Sequence, residues 1–152
     1  MPTYSCFEDL PVWQSAKKLA IEVYRATSRP EFRADYVLVR QARAAALSVS
    51  SNIAEGFERG TTAQEIHFLG VARGSCGELR SQLSIAAELK YLNDAEYQDL
   101  HERCITTSSQ ITGFIAYLQS LDAKSQKSAS RIKEDQVIYI AELSEQSNRE
   151  RP

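Results

Sequence analysis

QARAAALSVSSNIAEGFERG, Gln41 to Gly60, decides the fold. Its apolar positions Ala42, Ala46, Val49 and Ile53 recur at spacings of four, three and four, the signature of one face of an α-helix. Val39 extends that face backwards, so the spacing predicts a helix from about Ala34 to Arg59, stopped by Gly60. Ser48, Ser51, Asn52 and Glu55 lie among the apolar residues. A helix that buries a face has to give such side chains hydrogen-bond partners, because an unpaired buried polar group costs about 1–3 kcal/mol. Three readings are open: a catalytic cluster, a polar seam between packed helices, and a docking surface.

The same periodicity extends both ways from this stretch. Upstream, Val12, Leu19, Val23 and Ala26 mark a helix from about Asp9 to Ser28. Asp9 can cap it, Pro11 fits its first turn, and Pro30 closes it. Downstream, Ile66, Leu69, Leu79 and Leu83 mark a helix from about Thr62 to Leu92, with Thr62 and Glu65 spaced as a capping box. Asn93-Asp94 opens a fourth, through Tyr97, Leu100, Cys104, Ile111, Phe114, Ile115 and Leu118 to Leu121. Four long helices with short links predict an all-α, antiparallel up-down four-helix bundle over residues 1–121. No alternating strand pattern competes with it.

After Leu121 the composition changes. DAKSQKSASRIKEDQ is polar and serine-rich, and reads as a linker. VIYIAELSEQ follows, where Val137, Ile138, Ile140, Ala141 and Leu143 would suit either a short amphipathic helix that docks on the bundle, a neighbouring subunit or a partner, or an unstructured tail. Residues 122–152 are therefore expected to form a C-terminal extension.

The composition is that of an ordinary soluble protein: 152 residues, 43% hydrophobic, 25% charged, net charge −2. Ala44–Ala54, an uncharged stretch, is too short and too polar to cross a membrane. The N-terminus has neither the basic start nor the apolar run of a signal peptide. A cytoplasmic location is expected, with Cys6, Cys76 and Cys104 as free thiols.

Little in the chain points to catalysis. Neither His67 nor His101 follows a glutamate at the three-residue spacing that di-iron bundles use. His101 and Cys104 lie one turn apart, but two ligands are too few for zinc. Glu55 and Glu78 could meet as an acid–base pair, with His67 nearby, in a small hydrolase or metal enzyme. Partnership with serines, Asn52 or arginines is the simpler expectation for both carboxylates. No catalytic residue, metal or cofactor is expected.

Glycines and charges say more. Gly70, Gly74 and Gly77 share one helix face, and each costs about 0.5–1 kcal/mol relative to alanine. Close approach of another helix would offset that. Basic residues crowd the first two long helices: Lys17, Lys18, Arg25, Arg29, Arg33, Arg40 and Arg43 stand against only Glu22, Glu31 and Asp35. The region from Glu88 to Arg103 is acidic. Such polarity suits head-to-tail subunit contacts or phosphate binding.

FEDLPVWQSA from Phe7, QARAAALSVSSNIAEGFERG from Gln41 and FLGVARGSCGELRSQL from Phe68 resemble, in order and distance, the four-helix-bundle family encoded by intervening sequences in bacterial 23S rRNA genes. The resemblance covers about Phe7 to Leu121. It implies assembly as a ring-like homopentamer. It also implies a distant relationship to the accessory variability determinant of diversity-generating retroelements, which binds nucleic acid and a reverse transcriptase. The family signature falls on Ser48, Ser51, Asn52, Glu55, Gly56, Gly74, Ser75, Glu78 and Leu79, as structural hallmarks at helix-seam or oligomer contacts.

The resulting expectation is a non-enzymatic accessory protein that associates with RNA or an RNA-handling protein such as a reverse transcriptase. Its phosphate contacts would be Lys17, Lys18, Arg25, Arg29, Arg40, Arg43, Arg73 and Arg80. The alternative is a protein-interaction scaffold that works through its tail.

Overall fold

A computed structural model describes the backbone of residues 4–149 and the side chains of residues 4–129 and 131. Among the described residues five α-helices form: α1 Pro11–Ala26, α2 Pro30–Ala34, α3 Tyr36–Glu58, α4 Thr62–Glu88 and α5 Asp94–Arg149. No strand occurs among the described residues. The chain divides into two units, Met1–Ala116 and Tyr117–Pro152. The first is a helical bundle, and the described backbone of the second, residues 117–149, continues α5.

Long-range contacts fix the direction of the helices. Ser48 meets Ser75, and one helix end further on Gly56 meets Phe68, so α3 and α4 run antiparallel. Arg43 reaches back to Thr27, the C-cap of α1, while Leu47 and Ile21 flank the same groove, so α1 and α3 are antiparallel too. Arg29 pairs with Glu96, and further along Ser15 and Lys18 line a groove with Arg103 and Thr107, which brings α5 back along α1.

The core combines Leu19 and Val23 of α1, Ala42, Ala45 and Ala46 of α3, Leu79, Leu83 and Ala86 of α4, and Leu100 and Cys104 of α5. Alanines on α3 let the helices approach closely. Burying each Leu or Val contributes about 1.5–3 kcal/mol. Ile53, Val49, Leu69 and Ile111 are equally inaccessible and carry the apolar interior towards the other end.

Several helix ends differ from the sequence-based expectation. Asp9 does not cap α1: residues Phe7–Asp9 make a 3₁₀ turn, Leu10 is the N-cap, and the Asp9 carboxylate accepts from the Cys6 thiol at 3.1 Å. Pro30 closes no helix of its own; it starts α2, a five-residue helix whose Phe32 is fully buried and stacks on Tyr91 with ring centroids 5.5 Å apart. Pro's fixed φ suits a first helical position as well as a stop, so one residue serves both readings. The cap of α4 is Thr61, whose hydroxyl accepts from the Gln64 amide at 3.4 Å, one residue ahead of the Thr62–Glu65 expectation.

The largest difference is α5. Residues 122–136, taken as a linker, belong to a helix that runs unbroken from Asp94 to Arg149. Low apolar content removes a face to bury, but it does not break a helix. No glycine follows Gly113 and no proline precedes Pro152 in that part of the chain, and Ala, Lys, Gln, Glu and Arg are good helix formers. The Val137–Leu143 docking stretch lies outside the described side chains.

Candidate nucleic-acid interface

Ala42, Ala46, Val49 and Ile53 turn one side of α3 into the core, which leaves Tyr36, Arg40, Arg43 and Leu47 on another side at spacings of four, three and four. On α1, Ile21, Tyr24 and Arg25 face the same way, and Ser28 just beyond its end joins them. Between them runs an open groove in two parts that share Tyr24 and Leu47. One, of about 610 Å³, is lined by Ala20, Ile21, Tyr24, Arg25, Ser28 and Leu47. The other, of about 530 Å³, adds Arg33, Tyr36, Val39, Arg40, Arg43 and Ala44 around the shared Tyr24 and Leu47. No carboxylate lines either part.

Arg43 is held rigidly. Its Nε donates to Thr27 Oγ1 at 2.8 Å, Nη2 donates to Ser28 Oγ at 3.2 Å, and the guanidinium lies 4.6 Å from the centre of the Tyr24 ring. Thr27 is itself fully buried and donates to the Val23 carbonyl at 2.8 Å. Arg33 and Arg40 are exposed and form no ion pair or hydrogen bond with a described residue. Tyr36 is 70% exposed.

The eight cations expected to touch phosphate do not form one surface. Arg25, Arg40 and Arg43 line the groove, Arg25 also pairing with Glu22. Arg29 is structural: it pairs with Glu96 and donates to the Tyr91 carbonyl at 2.8 Å, binding α1 to the start of α5. Lys18 shares its groove with Asp99 and Glu102 as well as Arg103. Lys17 lies 5.5 Å over the Trp13 ring. Arg73 and Arg80 are exposed on α4, where Arg73 reaches Thr112 on α5 at 3.4 Å. Tyr24, Arg33, Tyr36 and Leu47 were not among the expected contacts. The stripe Tyr36–Arg40–Arg43–Leu47, at helical spacing off the core face, was the signal that could have found Tyr36 and Leu47.

The polar residues that follow on α3 divide in two. Asn52 Nδ2 donates to the Ser48 carbonyl at 2.8 Å and to Ser48 Oγ at 3.0 Å. Ser48 Oγ is 2.8 Å from Ser75 Oγ on α4, and Ser75 donates to the Val71 carbonyl at 3.2 Å. One chain of hydrogen bonds thus crosses the α3–α4 contact. Gly56 completes that contact: a Cβ there would lie 3.0 Å from Phe68 Cβ and 3.2 Å from the Glu65 carbonyl oxygen. The Glu65 carboxyl beside it is held above its ordinary pKa by burial.

Ser51, Glu55, Gly74 and Glu78 are exposed, outside this seam. Glu55 pairs with Arg59 at 2.6 Å, one turn on. Gly70, Gly74 and Gly77 have nothing within 4 Å of where a Cβ would stand, so no helix of the same chain approaches them closely. Among the described residues, no group of three or more His, Cys, Asp and Glu is arranged to hold a metal ion. No described helix is long and apolar enough to cross a membrane.

A model of the 23S rRNA-intervening sequence protein family matches residues 8–113, nearly the whole bundle. Comparison with curated proteins finds no match. Among solved structures, the chain is similar to a protein of unknown function from Bacteroides thetaiotaomicron, assigned to the S23 ribosomal protein family. The TM-score is 0.63 at 17% identity, over 68% of this chain and 97% of that one, which is a likeness of fold. The match spans more than two thirds of the chain: the chain belongs to the 23S rRNA-intervening sequence protein family.

Proposed function

We propose that the protein is a non-enzymatic, cytoplasmic accessory subunit that binds RNA through the α1–α3 groove. The observation that carries this reading is the set Arg33, Arg40 and Arg43 around a groove without a carboxylate. Arginines left without an acidic partner keep their full charge for phosphate, and each phosphate contact releases counterions. Two carboxylates at the start of α5 are engaged elsewhere, Glu96 by Arg29 and Asp99 by Arg103. The RNA would arrive alone or with a protein that handles it, such as a reverse transcriptase.

Self-assembly, with a homopentamer as the expected ring, accompanies this reading. The exposed α4 face with Val71, Gly74 and Gly77 supports it, since those glycines gain nothing inside the subunit.

The test is RNA binding by the full chain across a salt series. The expected result is affinity that falls steeply with salt, and a double substitution Arg33→Glu with Arg40→Glu that lowers the slope of log K on log salt by roughly 1.4, about 0.7 per lost contact with a single strand. No binding at low salt would overturn the proposal.

A further inference from the structure

We infer that the α1–α3 groove takes unpaired nucleotides, stacking their bases on Tyr36 and the Tyr24–Arg43 pair, and does not take a duplex. The inference rests on the RNA reading above and specifies the ligand of that same site.

Three features of the groove decide between strand types. Arg33, Arg40 and Arg43 line it and no carboxylate does, which selects an anionic ligand. Its floor is apolar, made of Ile21, Val39, Ala44 and Leu47. Two tyrosines flank it, and Tyr36 has no ring contact or hydrogen bond to a described residue, so its faces are open. A ligand that satisfies all three carries phosphates and flat apolar faces together. Unpaired nucleotides do. In a duplex the base faces are stacked on one another, and only backbone and groove edges reach a protein. A duplex would therefore satisfy the arginines and leave the tyrosines and the apolar floor unused.

The groove is also preset for such a ligand. Arg43 is pinned by Thr27 and Ser28 and lies over Tyr24, so a cation stacked on an aromatic ring is in place before anything binds. Ordering that side chain then subtracts little from affinity. The two parts, of about 610 and 530 Å³, are both open to solvent. Because they join at Tyr24 and Leu47, consecutive nucleotides can occupy both.

The competing occupant is an acidic helix of a second copy. Base stacking separates the two, since it requires an aromatic ring and not merely an apolar surface.

The experiment is fluorescence anisotropy with the full chain, using labelled oligouridylate, labelled oligoadenylate and the duplex of the two. It compares wild type, Tyr36→Ala, Tyr36→Phe and the double variant Arg33→Glu with Arg40→Glu, with the mass of each measured by light scattering. The expected result is tighter binding of both single strands than of the duplex. Tyr36→Ala should weaken the single strands about tenfold, and Tyr36→Phe should restore them. Equal binding of duplex and strands, with Tyr36→Ala without effect and the arginine variant weakened, would overturn the stacking site and leave the RNA reading standing. A loss of mass in Tyr36→Ala with unchanged strand binding would make the groove a contact between copies and overturn the inference. No binding of any nucleic acid would remove both.

Discussion

Ser48 Oγ on α3 and Ser75 Oγ on α4 are 2.8 Å apart, midway in a chain of hydrogen bonds that begins at Asn52 and ends on the Val71 carbonyl. Each hydroxyl gives and receives, so the chain has a single direction from Asn52 to Val71. A slip of one helix along the other would break the Ser48–Ser75 bond, the link of the chain that crosses between helices. Ser48→Ala and Ser75→Ala are each expected to lower stability by about 1 kcal/mol, and the double variant by less than their sum. Urea unfolding of the four proteins measures this. Strictly additive losses would mean that the two hydroxyls act independently.

Gly56 and Gly74 should respond to alanine with opposite signs. A Cβ at Gly56 meets Phe68 Cβ at 3.0 Å and the Glu65 backbone at 3.2–3.3 Å, and backbone cannot move aside cheaply. Gly56→Ala is expected to destabilise by about 1–3 kcal/mol. Gly74 is in mid-helix with open space around it, so Gly74→Ala should stabilise the subunit by about 0.5–1 kcal/mol. Thermal melts read both. A fall in stability or assembly mass for Gly74→Ala would show that a neighbouring subunit approaches there.

Lys90 ends α4 in the left-handed region, at φ 63°. The Tyr91 amide donates to the Ala86 carbonyl at 2.9 Å and the Lys90 amide to the Ala87 carbonyl at 3.0 Å, the pattern in which glycine is the favoured residue. A lysine Cβ is crowded there. Lys90→Gly is expected to raise stability by about 1 kcal/mol, seen as a higher Tm.

The three thiols should separate by reactivity and by pH. Cys76 and Cys104 are buried, and burial pushes them up from 9.0 to about 11 and about 12. Cys6 is half-buried, and the Asp9 carboxylate, which accepts from its thiol, raises it too. Iodoacetamide on the native chain should label Cys6 alone, with the other two reacting only after unfolding. Folding holds Cys76 and Cys104 protonated, so their contribution is fully present below pH about 9, the unfolded-state value. It is lost as pH rises from there towards about 11 and about 12, because the unfolded chain gives up protons that the folded one keeps. Denaturant midpoints through that window check the sign.

What could be read from the sequence follows the range of each signal. α1, α3 and α4 announce themselves because their apolar stripes repeat over several turns. α2 does not, since five residues show no period and its burial rests on one side chain, Phe32. The extension of α5 was hidden by composition, which reports whether a face can be buried and not whether a helix persists. In the seam, Ser48, Asn52, Gly56 and Ser75 were recognisable from small and polar residues on a core-facing stripe. Ser51, roughly 60° round the helix from Ser48, lies outside it. The groove was half legible: its arginines showed in the charge distribution, while Tyr24, Tyr36 and Leu47 read as ordinary helix residues until the fold set them side by side.

The two links on either side of α3 are unlike in one respect with a practical outcome. Between α3 and α4 the chain turns through Arg59, Gly60 and Thr61, all exposed, with Gly60 at φ 71° and nothing within 4 Å of its Cβ position. Between α1 and α3 the chain dips inward to bury Thr27 and Phe32. A fluorophore loop, affinity tag or protease site inserted at Gly60 therefore meets only solvent and leaves the interior whole. The same insertion near Phe32 would withdraw a plug from the interior, so labelling and circular permutation of this subunit belong at the first link.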